Sequence, residues 1–292
     1  MNRRSADHCR SADYRRGADS MIRRRLVWAG LAAPAMFGLS GAAAPVQAAP
    51  ARTALVIGNS SYPNAVLANP VRDARLIAAT LRELGFEVAL VENARRSDML
   101  AQIRQWLIGS ARADVRAFYY AGHGVQYRGA SYLVPIDAVY LAEDEIPAKS
   151  FDLAQIVEPL SRLATGVNFV IMDACRAEPA ALLTQVQRRT RSLERPEAGF
   201  GLTAAPRGTV IAYSTSPGAL AADGAGDANS VFTRNLVNQM RQRGLPVETL
   251  FKRVRMAVMR ETRNVQIPWE TSSLVGDFCL RPNSDGSCAP EG

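Results

Sequence analysis

Short apolar runs alternate along the chain with longer segments in which apolar residues recur every three or four positions. The short runs are typical of buried strands, and the helical period is typical of helices that cover a sheet. The pattern predicts strands at 53–57, 87–91, 115–120, 167–172 and 209–212 and helices at 71–84, 97–111, 153–163, 231–243 and 246–261. It predicts a hairpin over 127–136 and long loops over 178–207 and 214–229. Alternating strands and helices indicate an α/β fold with a mostly parallel sheet.

The first 48 residues have the pattern of an export signal. Three arginines at 23–25 precede an apolar run of 14 residues at 26–39, and small residues follow up to Ala48. This run is shorter than the roughly 20 residues of a membrane-spanning helix, so we interpret it as a signal peptide cleaved after Ala48. Because twenty mostly polar residues precede Met21, we expect Met21 to be the true start. The signal predicts a periplasmic or secreted bacterial protein without a membrane anchor after cleavage.

Composition and charge narrow the class of protein. With 48% hydrophobic and 21% charged residues, the chain resembles soluble globular proteins, which excludes disordered and fibrous architectures. The net charge of +8 would suggest binding to a nucleic acid or to a membrane surface. Eight of the 35 basic residues lie within residues 1–25, however, and the chain from Leu26 onward carries only +3. We therefore expect no nucleic-acid partner.

The cysteines divide into a pair and a single thiol. Removal of the leader takes Cys9 away and leaves three. Cys279 and Cys288 are close in sequence, and in an oxidising compartment they can close a small disulfide loop. Cys175 then remains available for chemistry.

The sequence offers little for a metal ion. His123 is the only histidine outside the leader, and no C-x-x-C spacing occurs. Asp223, Asp227 and Asn229 lack the spacing of an EF-hand. We expect no cofactor and no required metal.

Two residues with reactive side chains follow neighbouring predicted strands. His123 follows the strand at 115–120, and Cys175 follows the strand at 167–172. The carboxyl ends of adjacent parallel strands form one crevice, where an imidazole can activate a thiol and later protonate a leaving amine. The backbone amides of Gly124 and Cys175 would stabilise the oxyanion. The alternative is a buried structural cysteine and a turn histidine.

Five motifs together resemble the bacterial caspase-like peptidases, which are grouped with caspases and metacaspases. They are Ala-Leu-Val-Ile-Gly-Asn at 54–59, Arg-Asp-Ala at 72–74, Tyr-Tyr-Ala-Gly-His-Gly at 119–124, Asp-Ala-Cys-Arg at 173–176 and Ala-Tyr-Ser-Thr-Ser-Pro-Gly at 212–218. Cys175 follows His123 by 52 positions, which matches the interval of about 50 already known for caspases. The resemblance covers residues 52–280.

The resemblance implies a three-layer fold with about six mostly parallel strands and a His123–Cys175 dyad that hydrolyses peptide bonds. Together with the signal pattern, it indicates a leader at 1–48, a peptidase domain at 49–282 with a loop at 178–207, and a short tail at 283–292. The expected partners are protein or peptide substrates. The alternatives are a caspase-fold binding module without activity and another cysteine-dependent amide hydrolase.

The resemblance also implies a specificity for basic residues. Animal caspases, which cut after Asp, have a pocket arginine where this chain has Asp223. Metacaspases, which cut after Arg or Lys, have acidic residues that match Asp173 and Asp73, and carboxylates bind guanidinium groups well. Ser214 lies in a segment, 213–216, that follows a predicted strand and would pair with an extended substrate or be an ordinary loop. The alternatives are an ordinary first-turn helix acid for Asp73 and a solvated loop residue for Asp223.

Three smaller expectations follow. The arginine-rich segment 187–195 would be cut by the enzyme itself, or would be only a solvated basic linker. Trp269 would supply buried packing area. Ala121 replaces the serine that metacaspases tend to have two residues before the histidine.

Overall fold

The computed structural model describes residues 51–63, 65–163, 165–177, 205–216 and 229–289, with the backbone alone at 175–177. Its strands are β1 (Arg52–Gly58), β2 (Glu87–Glu92), β3 (Val115–Tyr127), β4 (Ala130–Leu133), β5 (Phe151–Asp152), β6 (Val167–Ala177), β7 (Thr209–Tyr213) and β8 (Trp269–Ser272). Its helices are α1 (Pro70–Glu83), α2 (Arg96–Gly109), α3 (Ile146–Lys149), α4 (Ala154–Ser161), α5 (Val231–Met240) and α6 (Val247–Glu261).

The main sheet has the strand order β2-β1-β3-β6-β7-β8. All neighbours on this path are parallel except β8, which runs antiparallel to β7. β4 folds back antiparallel onto the end of β3 and pairs with β5. The α/β class and the mostly parallel sheet are therefore confirmed.

Successive residues of the central strands enter different cores, because side chains alternate across a sheet. Val56, Tyr119 and Ile171 face α1, α5 and α6. The preceding residues Leu55, Phe118 and Val170 face α2 and α4. The sheet is consequently buried on both faces by helices, as expected for parallel strands.

The five predicted strands and five predicted helices all exist, but β3 and β6 are longer than predicted. β3 continues to Tyr127 and β6 to Ala177, because the two strands pair with each other as far as Val125 and Ala177. The predicted hairpin is also present, with its turn at Arg128 and Gly129. The motif residues around His123 and Cys175 are thus strand residues, whereas the sequence pattern predicts them just beyond the strand ends.

Two features of the C-terminal part bear on the predictions. Cys279 and Cys288 form a disulfide, which confirms the predicted pair. Trp269 lies in the edge strand β8 and is 44% exposed, so the expectation of a buried packing role was wrong. An edge strand has a neighbour on one side only, which leaves part of a large ring uncovered.

In the described ranges, no helix is long and apolar enough to cross a membrane.

Candidate active site

The pairing of β3 with β6 brings the two reactive residues together. His123 is the Cα partner of Cys175 in the parallel register, although 52 residues separate them in sequence. Adjacent strands lie about 4.8 Å apart, so the backbones of the two residues are direct neighbours. The backbones of His123 and Cys175 are thus next to each other, as the sequence predicts, but inside the paired strands rather than just beyond their ends.

The orientation of His123 follows from its contacts with the segment between β1 and α1. Its Nε2 lies 2.8 Å from the carbonyl oxygen of Ala65. A carbonyl oxygen only accepts hydrogen bonds, so Nε2 carries the proton and Nδ1 carries the lone pair in the neutral ring. The ring of Tyr62 packs against the imidazole with 4.5 Å between ring centroids. Nδ1 is therefore the nitrogen that can act as a base.

Gly124 lies inside the sheet. It is paired with Leu133 of β4 on one side and with Arg176 of β6 on the other. Gly124 is thus the partner of the residue that follows Cys175, and its role at an oxyanion stays a prediction.

Asp73 and Asp173 meet in a buried cluster although they lie 100 residues apart in sequence. Asp73 is in the first turn of α1 and is 2% exposed, and Asp173 is in β6 and is 8% exposed. Ser230 bonds to both: its N–H donates to Oδ1 of Asp73 at 3.0 Å, and its hydroxyl donates to Oδ2 of Asp173 at 2.7 Å. Asn229 Nδ2 donates to Asp73 at 2.8 Å and Thr233 Oγ1 donates to Asp173 at 2.8 Å. We call Asp73 and Asp173 the acid pair.

Burial and mutual repulsion oppose ionisation of the acid pair. Burial raises the pKa of Asp73 to about 7, and the charge of Asp173 contributes to this rise. Burial also raises the pKa of Asp173, although the hydroxyls of Ser230 and Thr233 favour its charged form. Two carboxyl groups in one desolvated site do not readily ionise together, so the arrangement favours one retained proton until a cation binds.

Ser214 joins the cluster from the end of β7. The side chain is fully buried and lies close enough to lower the pKa of Asp173. Its hydroxyl nevertheless has no partner of hydrogen-bond geometry within the described part of the chain, and the same holds for Thr215. The Ser214 hydroxyl therefore lies beside Asp173, where it favours the charged form of the carboxyl group.

Sequence reasoning missed the residues that hold the acid pair. Ser230 is the N-cap of α5 and its side chain accepts a hydrogen bond from Thr233 N–H. A serine directly before a predicted helix is a recognisable N-cap signal. Nothing in the local sequence, however, indicates that this cap lies against a carboxyl group at the start of α1.

Some predicted site residues lie outside the described residues. These are Asp223 and the arginine-rich segment 187–195. Within the described ranges, no group of three or more His, Cys, Asp or Glu side chains could hold a metal ion.

The candidate site thus lies on a mostly parallel sheet between helices, with His123 and Cys175 paired across the two central strands. A model of the caspase domain matches residues 51–279, so the chain belongs to the caspase-domain family of cysteine peptidases, peptidase C14. Members of this family hydrolyse protein substrates.

Two curated relatives agree with this assignment. The chain is 30% identical over 128 residues to the mucosa-associated lymphoid tissue lymphoma translocation protein 1 homolog of Mus musculus. It is 29% identical over 128 residues to the corresponding protein of Homo sapiens. The matched segment is 43% of this chain and 15% of each relative.

A solved structure supports the fold. Caspase-1 from Spodoptera frugiperda superimposes with a TM-score of 0.57 and covers 80% of this chain and 92% of its own. The identity is 17%, so this likeness concerns the fold alone.

Proposed function

We propose that the protein is a secreted cysteine endopeptidase that cleaves after arginine or lysine. The observation that carries the proposal is the register of His123 with Cys175, combined with an imidazole whose Nε2 is bonded to a carbonyl oxygen. That arrangement suits an imidazole that exchanges a proton with a neighbouring thiol through Nδ1.

The proposed reaction begins when Nδ1 of His123 takes the thiol proton of Cys175. The thiolate attacks the scissile carbonyl carbon, and the backbone amides of Gly124 and Cys175 stabilise the oxyanion. The imidazolium then protonates the leaving amine as the C–N bond breaks, which leaves a thioester. A water molecule, deprotonated by the same imidazole, hydrolyses the thioester and restores the thiol.

The acid pair supports specificity for a basic side chain. A guanidinium group brings five N–H donors and a positive charge, which suits two buried carboxyl groups. Asn229 and Ser230 bond to Oδ1 of Asp73, and Ser230 and Thr233 bond to Oδ2 of Asp173. The proposal assigns the other oxygen of each carboxyl group, the hydroxyl of Ser214 and the carboxyl group of Asp223 to the substrate.

The disulfide supports export. Disulfides persist mainly in oxidising compartments, and Cys279–Cys288 is formed at the C-terminal end of the caspase domain. Together with the signal-like leader, this favours a periplasmic or extracellular location.

The decisive test uses the full chain, intact and as Cys175→Ala. Both proteins are assayed with peptides that differ only at the residue before the scissile bond, which is Arg, Lys, citrulline or Asp. We expect cleavage after Arg and Lys by the intact protein alone. Equal activity of the Cys175→Ala protein would assign the nucleophile elsewhere, and a preference for Asp would refute the pocket.

A second arm tests the pocket itself. Asp173→Asn removes the charge while it retains an oxygen that can accept from Ser230 and Thr233. Losing one partner of a desolvated charge pair commonly costs about 2 to 5 kcal/mol, so kcat/KM for Arg peptides should fall at least about tenfold. An Asp173→Asn protein that retains the wild-type ratio of Arg to citrulline cleavage would contradict the assignment.

A further inference from the structure

Two tyrosine hydroxyls form hydrogen bonds with the N–H and the carbonyl oxygen of His123. The N–H of His123 donates to the hydroxyl of Tyr62 at 3.0 Å. The carbonyl oxygen of His123 accepts from the hydroxyl of Tyr120 at 2.7 Å. Both side chains are buried, at 4% and 0% exposed. We call Tyr62 and Tyr120 the tyrosine pair.

The tyrosine pair forms one network with the carbonyl oxygen of Val134. Tyr62 lies 3.0 Å and Tyr120 lies 2.9 Å from this oxygen, and the two hydroxyl oxygens are 3.2 Å apart. Burial raises the pKa of both phenols, so both stay protonated at working pH. Each hydroxyl has one proton, so the two phenols donate two hydrogen bonds at a time. When Tyr120 donates to His123 and Tyr62 donates to Val134, both carbonyl oxygens have a donor.

Gly122 makes room for this network. A Cβ atom at position 122 would lie 2.6 Å from the hydroxyl of Tyr62 and 2.7 Å from that of Tyr120. The φ angle of 155° is also one that residues with a side chain rarely adopt. The glycine before the histidine is therefore explained by the close approach of the tyrosine pair.

Tyr62 also links the backbone of His123 to its imidazole. Its ring packs against the imidazole, and the carbonyl of Ala65, three residues further along, accepts from Nε2. The segment that carries both contacts is fastened by Asn93, whose side-chain oxygen accepts from the N–H groups of Ser60 and Ser61 at 2.9 and 3.0 Å. One anchored segment thus holds the histidine by its ring and, through the tyrosine hydroxyl, by its backbone.

We propose that Tyr62 and Tyr120 are positioning residues for His123, which keep the imidazole in the Nε2–H tautomer with Nδ1 as the base. The two hydroxyls bond to the backbone of His123 and not to the reacting atoms. The inference rests on the proposed function, since the tautomer matters only if His123 serves Cys175. Without the two hydroxyls, the imidazole would lose its fixed distance to Ala65 and sample the other tautomer, in which Nδ1 carries the proton.

The test compares Tyr62→Phe and Tyr120→Phe with Tyr140→Phe. Each change removes one buried hydroxyl and keeps the ring. Tyr140 belongs to the same small core as Tyr62, is 2% exposed and bonds to Ser150 rather than to His123. It therefore controls for the loss of a buried phenol hydroxyl near the site.

The first readout is the ¹⁵N spectrum of the His123 ring in the full chain at a pH where the ring is neutral. It is recorded in the Cys175→Ala background, where no thiol proton can move onto the ring. His8 gives a second signal, which is identified with His8→Gln. We expect a single Nε2–H tautomer in the parent and in Tyr140→Phe, and a mixture of tautomers in the two other variants.

The second readout is steady-state kinetics with an Arg peptide in the background that retains Cys175. We expect kcat to fall about fivefold or more in Tyr62→Phe and Tyr120→Phe, with KM within about twofold, because the acid pair is untouched. Tyr140→Phe should stay within about twofold in both parameters.

The outcomes separate this inference from the proposed function. Tautomer mixing in the two variants, in a protein that cleaves no peptide, would refute the proposed function and leave the positioning role supported. An unchanged His123 spectrum in both variants, or equal mixing in Tyr140→Phe, would overturn the positioning role. If one variant does not fold, the other decides, since each removes a different bond to His123.

Discussion

At the scale of single residues, Asp73 differs from an ordinary first-turn helix acid because its carboxyl group is buried against a second one. An exposed acid at this position would only interact with the helix dipole. Here the carboxyl group accepts hydrogen bonds from Asn229 and Ser230 across the molecule, and its pKa rises to about 7. The first-turn alternative is therefore insufficient for Asp73.

Asp73 should make the folded protein less stable as the pH rises. Its pKa is about 7 in the folded protein and 3.8 for an unperturbed aspartate, so the folded protein binds the proton more tightly between these values. This stabilisation is complete below about pH 4 and is lost as the pH rises through about 7, with a slope of up to about 1.4 kcal/mol per pH unit. Urea denaturation of the wild type and of Asp73→Asn from pH 4.5 to pH 8 measures it.

The asparagine variant is informative because its side-chain oxygen can still accept from Asn229 and Ser230. We expect the Asp73→Asn protein to gain stability relative to the wild type as the pH rises. Parallel pH profiles of the two proteins would show that the Asp73 proton does not contribute.

The same ionisation should appear in substrate binding. A guanidinium group favours the charged form of the acid pair, so KM for an Arg peptide should decrease as the pH rises through about 7. Citrulline has a similar shape without the charge, and its KM should rise or stay constant over the same range. A KM profile that is identical for the two peptides would indicate that the acid pair does not face the substrate.

At the scale of secondary-structure elements, Arg116 explains how the start of β3 is joined to its neighbours. The side chain is fully buried, and its guanidinium donates to the carbonyl oxygens of Ser110, Ala111 and Thr165. Two of these belong to the 3-10 turn after α2, and the third precedes β6. One side chain therefore satisfies three carbonyl groups where three elements meet.

Arg116→Met should destabilise the fold by about 2 to 3 kcal/mol, because it leaves buried carbonyl groups without donors. Arg162→Met is the matched control. Arg162 is 79% exposed and its nearest carboxylate, Glu158, is 3.9 Å away, so its loss should cost less than about 0.5 kcal/mol. Chemical denaturation measures both, and equal losses would contradict the role given to Arg116.

The elements also show which parts of the fold are predictable from sequence. β1, β6 and β7 were predictable because they are buried on both faces and appear as continuous apolar runs. The sequence pattern does not reveal β8, because this strand has only four residues and includes the polar residues Glu270 and Ser272. Their side chains form hydrogen bonds with polar side chains of α6. Its strand character comes from pairing with β7, which a local pattern cannot indicate.

The candidate site also has a part that the sequence predicts and a part that it does not. His123 and Cys175 were predictable because each follows an apolar run, and the resemblance added Asp73 and Asp173. The roles of Tyr62 and Ser230 were not predictable, because each residue acts through a contact between elements that are distant in sequence. Such contacts depend on how helices and loops pack over the sheet, which the periodicity of one segment does not determine.

At the scale of the whole molecule, the disulfide lies near the C-terminal end of α5, whereas the acid pair lies at the end that begins at Ser230. It lies beside the connection from α5 to α6, where Val247 N–H donates to Phe278 and Pro246 bridges to Cys279. The site end of α5 begins at Ser230, which is ten residues before the C-terminus of the helix at Met240.

Replacing Cys279 and Cys288 by alanine should lower the free energy of unfolding by about 2 to 3 kcal/mol, as expected for a loop of this size. The kcat for Arg peptides should remain within about twofold at a temperature where the variant is folded. Thermal denaturation and kinetics of the double variant measure the two effects. A large loss of kcat in folded protein would show that the C-terminal loop reaches the site.

The core that packs under α1, α5 and α6 combines residues that precede the segment 178–204 in sequence with residues that follow it. Ile77 and Leu81 come from the preceding part of the chain, and Phe232, Leu236 and Phe251 come from the following part. Each part alone would expose its half of this core to water, so neither should fold by itself. A chain cut between β6 and β7 should therefore behave as a two-component complex that separates on dilution.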